Sequence, residues 1–146
     1  MRVYVGSDHA GFEYKQAIVE HLIAGGYDVT DVGTDSTDAV DYPDYAAKVA
    51  RAVRDGQAEL GVLVCGTGIG MAIAANKVHG VRAANVDSVE FARLARLHNN
   101  ANVVAVPSRG FIDLPTAEAI VDTFLTTEFE GGRHERRVAK MDSIGI

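Results

Sequence analysis

The 146-residue chain has a net charge of -6 at pH 7, 47% apolar and 23% charged residues, and a single cysteine. That length suits one soluble domain, residues 1–146, with a core of its own; the acidic balance excludes general nucleic-acid binding; the lone cysteine excludes an intramolecular disulfide framework and fits a reducing compartment. No apolar run reaches spanning length and Met1 to Gly6 enters a strand with no signal-peptide pattern, so a cytoplasmic protein with no membrane partner is expected.

Val3 to Val5 reads as a first strand, followed by the turn Gly6-Ser-Asp-His-Ala-Gly11. A helix comes next with Ile18, Val19, Leu22 and Ile23 inward, stopped by Gly25-Gly26. Tyr27 to Val32 is a second strand, Gly33 to Asp41 a polar loop, and Tyr45, Ala46, Val49, Ala50 and Val53 mark a second helix. Val62 to Val64 is a short apolar strand that ends at Cys65. Glycines then alternate at 66, 68 and 70, and Met71, Ala74, Ala75 and Val78 recur at helical spacing. Val81 to Val86 is a fourth strand, a helix from about Ser88 runs into Leu97-His-Asn-Asn100, and Asn102 to Val106 is a fifth strand. Pro107-Ser-Arg-Gly110 leads to a helix with Ala117, Ile120, Val121, Phe124 and Leu125 inward. After Glu130-Gly-Gly132 a last helix begins at Arg133.

This alternation implies an α/β fold of three layers, α/β/α, around a five-stranded parallel sheet, Rossmann-like in architecture. Right-handed crossovers put every βα turn at the C-terminal edge of the sheet, where such folds bind ligands. That edge should collect Ser7-Asp8-His9, Cys65 to Gly70, Asp87 and Arg109. The strand order beyond the first three does not follow from the pattern.

A strand, a glycine turn and a helix together can set backbone N–H groups against an anion. Asp87 lies at the distance a dinucleotide fingerprint asks for, but Met71 stands where its third glycine belongs and the unit is the third, not the first. A cysteine-phosphatase loop would need an arginine at Met71 and is rejected. Beside the weakened dinucleotide reading, two others remain: an oxyanion or enolate cradle with Cys65 as the catalytic group, or a tight turn whose cysteine is a small core residue. The other candidates each have an ordinary structural explanation. Asp8 and His9 suit turn chemistry, His98 suits a helix C-terminus, Arg109 suits a surface loop, and Arg133 and Arg137, four apart, suit a solvated helix face. Jointly they are less ordinary, because most fall on one edge; the last helix, where His134 joins the two arginines, is not placed by the pattern. Arginines with a histidine can hold a phosphate dianion, a row of N–H groups an enediolate oxygen, and a thiolate and a histidine can move protons. Such a set suits a phosphosugar aldose–ketose isomerase.

Ser7-Asp-His-Ala-Gly11, Asp41-Tyr-Pro-Asp-Tyr-Ala46, Cys65-Gly-Thr-Gly-Ile-Gly70 with Ala74-Ala-Asn-Lys77, His98-Asn99 with Ala101-Asn102, Ser108-Arg109 and Gly132-Arg-His-Glu-Arg-Arg-Val138 together resemble the B-type ribose-5-phosphate isomerases nearly end to end. That family includes galactose-6-phosphate isomerase subunits. The resemblance implies interconversion of ribose 5-phosphate and ribulose 5-phosphate with no metal and no cofactor. It also implies a homodimer with active sites at the interface, alone or as a dimer of dimers. It implies Cys65 as the base between C2 and C1, Gly66, Gly68, Ile69 and Gly70 in the anion hole, and Thr67 assisting proton transfer. His98 would open the furanose ring and Asp8 would hold the ring-end hydroxyls. His9, Arg109, Arg133 and Arg137 would take the phosphate, and Asn99 a sugar hydroxyl. One branch of the family uses a glutamate just after the glycine turn; Met71 stands there, which implies the cysteine branch. The alternatives kept open are a galactose- or allose-6-phosphate isomerase, a subunit active only in a hetero-oligomer, and a non-catalytic nucleotide-binding module.

Overall fold

The computed structural model describes residues 1–145. Strands and helices alternate as β1 (Arg2–Ser7), α1 (Phe12–Ala24), β2 (Asp28–Asp31), α2 (Tyr42–Arg54), β3 (Leu60–Val64), α3 (Ile69–Ala75), β4 (Ala83–Asn85), α4 (Val89–Asn99), β5 (Val103–Val106), α5 (Leu114–Thr126) and α6 (Arg133–Asp142). The five strands form one parallel sheet in the order β2-β1-β3-β5-β4. β5 thus inserts between β3 and β4, and β4 becomes a three-residue edge strand.

Alternation along the strands divides the core. Val3, Val5, Val62, Val64, Val104 and Val106 face α1, α4 and α5, whose Ile18, Leu22, Ala92, Ile120 and Phe124 cover them. Leu63, Cys65, Val103 and Ala105 face α2 and α3, against Ala46, Val49, Met71 and Ala75. The cysteine side chain therefore points into the α2–α3 layer. Among the described residues no helix is long and apolar enough to cross a membrane.

Three details depart from the sequence pattern. Ile23, expected inward, is 58% exposed. The buried stripe of α1 is Lys15, Ile18 and Leu22, and Ile23 lies about 100° around the helix from Leu22. Lys15 takes a core position because its Nζ pairs with Asp31 Oδ2 at 2.7 Å. α3 stops at Ala75, leaving Val78 in the following turn. There the Asn76 side chain accepts from Ala83 N at 2.7 Å and donates to Ala83 O at 2.9 Å, turning the chain into β4. β4 is shorter than residues 81–86 because Asn102 Oδ1 takes Arg82 N–H before the strand begins.

Candidate active site

Three βα turns are laced together at the C-terminal edge. Asp8 N donates to Val64 O, Cys65 N to Val106 O and Ser108 N to Gly66 O, and Ser108 Oγ donates to Ala10 O. Gly11 is needed here, since a Cβ would lie 2.4 Å from the Val64 carbonyl oxygen. Gly68 is needed for two reasons: its φ is +86°, and a Cβ would lie 2.4 Å from Asn85 Nδ2. That Asn85 amide donates to the carbonyls of Thr67 and Ala105, holding the turn from the end of β4.

Within this frame Cys65 is buried, 6% exposed, and its sulfur accepts a 3.0 Å hydrogen bond from Gly68 N. Thr67 Oγ1 accepts from Ile69 N at 3.1 Å. Burial pushes the thiol above its ordinary value, and the charge of Asp8 adds to that; N–H groups of Met71, Gly68 and Thr67 pull it down but do not win. Asp8 is itself buried, with Oδ1 accepting from Gly11 N at 3.0 Å. His9 is exposed and its Nδ1 accepts from Val40 N at 3.2 Å, which leaves Nε2 to carry the proton of the neutral ring. Arg109 is exposed, pairs with Glu13, and shares a shallow pocket with His9.

His98 and Asn99 lie elsewhere. α4 leaves the C-terminal edge after β4 and runs back, so its last turn, which carries both residues, ends beside the start of β5. α6 packs on that end of α4 and brings Arg133 and Arg137, both exposed. Each chain therefore carries the candidate residues as two groups at opposite ends of its sheet: Asp8, His9, Cys65 to Gly70 and Arg109 at one, His98, Asn99, Arg133 and Arg137 at the other.

The second group includes a feature the motifs did not assign. The rings of His98 and His134 stack with centroids 4.4 Å apart and planes 16° from parallel. Glu130 Oε2 lies 3.9 Å from His98 Nε2 and 3.8 Å from His134 Nε2. His134 Nε2 is buried without a hydrogen-bond partner. Burial, then Arg133 and His98, hold the His134 ring below the usual histidine range, against the pull of Glu130. Ligand atoms of His98, Glu130 and His134 all lie within 4.8 Å of one another.

The sequence reading also passed over Ser108, Asn85 and Tyr42. Ser108 and Tyr42 lay inside quoted motifs but carried no role. Tyr42 stands at the start of α2 with its ring against the turn: a Cβ on Gly70 would lie 2.7 Å from it. For Asn85 the only signal was a polar residue at a strand end.

Residues 3–141 match the family model described as Ribose/Galactose Isomerase. The chain is 46% identical over 143 residues to "Ribose-5-phosphate isomerase B" of Escherichia coli, covering 98% of this chain and 95% of that one. Among solved structures, ribose-5-phosphate isomerase B of Clostridium thermocellum superposes with a TM-score of 0.96 at 47% identity, covering 99% and 97% of the two chains. The Mycoplasma genitalium enzyme with bound ribulose-5-phosphate gives a TM-score of 0.92 at 47% identity over 97% of this chain and 93% of that one.

Proposed function

The chain belongs to the ribose/galactose isomerase family and is an isomerase; on that premise we propose that it interconverts D-ribose 5-phosphate and D-ribulose 5-phosphate. It would do so as a single cytoplasmic domain over residues 1–146, paired as a homodimer with its active sites at the interface, and without a metal or cofactor. The observation that carries the reading is the Cys65 sulfur, buried beneath the glycine turn and within the field of Asp8. The two-chain site is supported by the separation of the candidate residues, since neither end of one sheet holds a base, a proton donor and both arginines.

In this mechanism His9 and Arg109 of one copy, with Arg133 and Arg137 of the other, hold the phosphate. His98 delivers a proton to the ring oxygen as the C1–O bond breaks, and the C1 hydroxyl gives its proton to Asp8, leaving the open aldehyde. Asn99 holds a sugar hydroxyl. The Cys65 thiolate removes the C2 proton, and the electron pair moves to the carbonyl oxygen to give a cis-enediolate. Gly68 N–H is taken by sulfur and Ile69 N–H by Thr67, so that oxygen falls to the N–H groups of Gly66 and Gly70. Thr67 passes the hydroxyl proton between the two oxygens, and Cys65 returns its proton to C1.

A coupled assay of the pure chain on ribose 5-phosphate, allose 6-phosphate and galactose 6-phosphate tests this. Turnover is expected on ribose 5-phosphate. Turnover confined to a six-carbon substrate would replace the proposed substrate, and no turnover on any would overturn the proposal.

A further inference from the structure

We propose that His134 is a positioning residue for His98: stacked on it face to face, its ring sets the plane in which His98 meets the ring oxygen of the sugar. This rests on the ring-opening role given to His98 above. The Glu130 carboxylate is 3.9 Å from His98 Nε2, too long for a hydrogen bond. The contact that orients His98 is therefore the stack, at 4.4 Å and 16°.

His134 is suited to the task because it is buried on a helix held at both ends. It is 6% exposed on the first turn of α6, beside the buried Val138 of the same helix. α6 is tied to α4 at its start, where Glu130 N donates to Leu97 O, the residue before His98. Its far end is tied by the ion pair of Asp142 with Arg82 at 3.0 Å. A buried imidazole with an unpartnered Nε2 is costly to keep where a plain apolar residue would fill the space, so a stability role explains it poorly. Burial and the neighbouring Arg133, His98 and Arg137 outweigh Glu130 and favour the neutral ring. A neutral partner lets His98 take up and release a proton without a second charge against its face. The same helix carries Arg133 and Arg137, so one rigid element would both seat the phosphate and aim the proton donor.

Wild type, His98→Asn, His134→Ala and His134→Phe are compared in two assays. One follows turnover of ribose 5-phosphate, whose furanose must open; the other follows exchange of the C1 hydrogen of ribulose 5-phosphate, an open-chain ketose, with solvent deuterium. His134→Ala is expected to lose about 10- to 100-fold in kcat on ribose 5-phosphate, with KM and the exchange rate within about threefold of wild type. His134→Phe, which restores a flat face without the nitrogens, should recover most of that loss. If His134→Ala does not fold, His134→Leu takes its place, filling volume without a flat face. Equal losses in both assays, no loss in either, or no recovery with His134→Phe overturn the proposal. A wild type inactive in both assays, or a His98→Asn equally impaired in both, would instead locate the failure in the function or in the role of His98.

Discussion

The two ends of the sheet are built by different means. At the C-terminal edge, position is set by the backbone: three βα turns hydrogen-bond to one another, and Ser108, Asn85 and Asp8 close the remaining gaps. Their geometry follows from strand register and tolerates little, as Gly11 and Gly68 attest. At the opposite end, His98, Asn99, Arg133 and Arg137 project from helix termini, and all but the half-buried His98 are exposed. What organises them is the Glu130–Leu97 hydrogen bond and the imidazole stack. In the proposed mechanism proton abstraction from carbon, which needs close placement, falls to the backbone-built end. Phosphate capture, which tolerates more, would be shared between His9 and Arg109 of that end and the helix-borne Arg133 and Arg137 of the other. The division gives each end its own signature when perturbed.

The sharpest break is at Cys65. Cys65→Ala should lower turnover by at least about 10³-fold, within the range for loss of a general base, while a phosphosugar analogue still binds. Cys65→Ser should be nearly as inactive, because a hydroxyl is a far weaker acid than a thiol. Near wild-type exchange of the C2 proton in Cys65→Ala would rule out Cys65 as the base and make Asp8, at the same end, the first suspect.

If the two ends meet only across a dimer, two dead variants should rescue each other. Mixing Cys65→Ala with His98→Asn and allowing subunits to exchange should restore about a quarter of wild-type turnover, because half the dimers then hold one intact site of two. Activity that stays at background after verified exchange would mean each site is built within one chain.

Arg137→Ala should act on binding, costing roughly 1.5–3 kcal/mol for a charged hydrogen bond lost, or about a 10- to 100-fold rise in KM. Arg133→Ala should behave alike, and the pair should be non-additive because they share one anion. A fall in kcat with KM untouched would count against a phosphate role at the helix-borne end.

The same contrast explains what could be read from the sequence. The backbone-built end was legible, because glycine spacing, strand periodicity and the βα alternation are local signals, and they placed Asp8, His9, Cys65 to Gly70 and Arg109 on one edge. The insertion of β5 between β3 and β4 was not legible, since no short-range pattern says which neighbour an edge strand lacks. Nor was the burial of Lys15, whose partner Asp31 lies on another element. The stack of His98 on His134 depends on α6 folding back over the end of α4, a long-range packing choice. His134 was visible only as a third basic residue beside two arginines.

The mildest effect concerns the charge state of Cys65, where the two ends should influence one another. The turn's N–H groups favour a thiolate. Within one chain burial and Asp8 outweigh them, so the thiol sits above its ordinary value. With a raised value the thiolate is scarce at neutral pH, and its fraction grows about tenfold per pH unit until the titration point is passed. The single chain sets only Asp8 against the sulfur; the cations that would favour a thiolate, Arg133 and Arg137, ride on the far end. Docking of a second copy would bring them to the turn, and nearby positive charge lowers a thiol's value. Iodoacetamide is the suitable probe because it is uncharged, so removing arginines cannot alter its approach by attraction. In wild type its rate of reaction with Cys65 should rise across pH 7 to 9. In Arg133→Ala/Arg137→Ala, kept dimeric, the same curve should move to higher pH. Superposable curves would mean that the arginines of one end do not reach the sulfur of the other, and the two-chain site would lose its electrostatic support. A reaction rate already flat by pH 7 in both proteins would show that the glycine turn alone makes the thiolate.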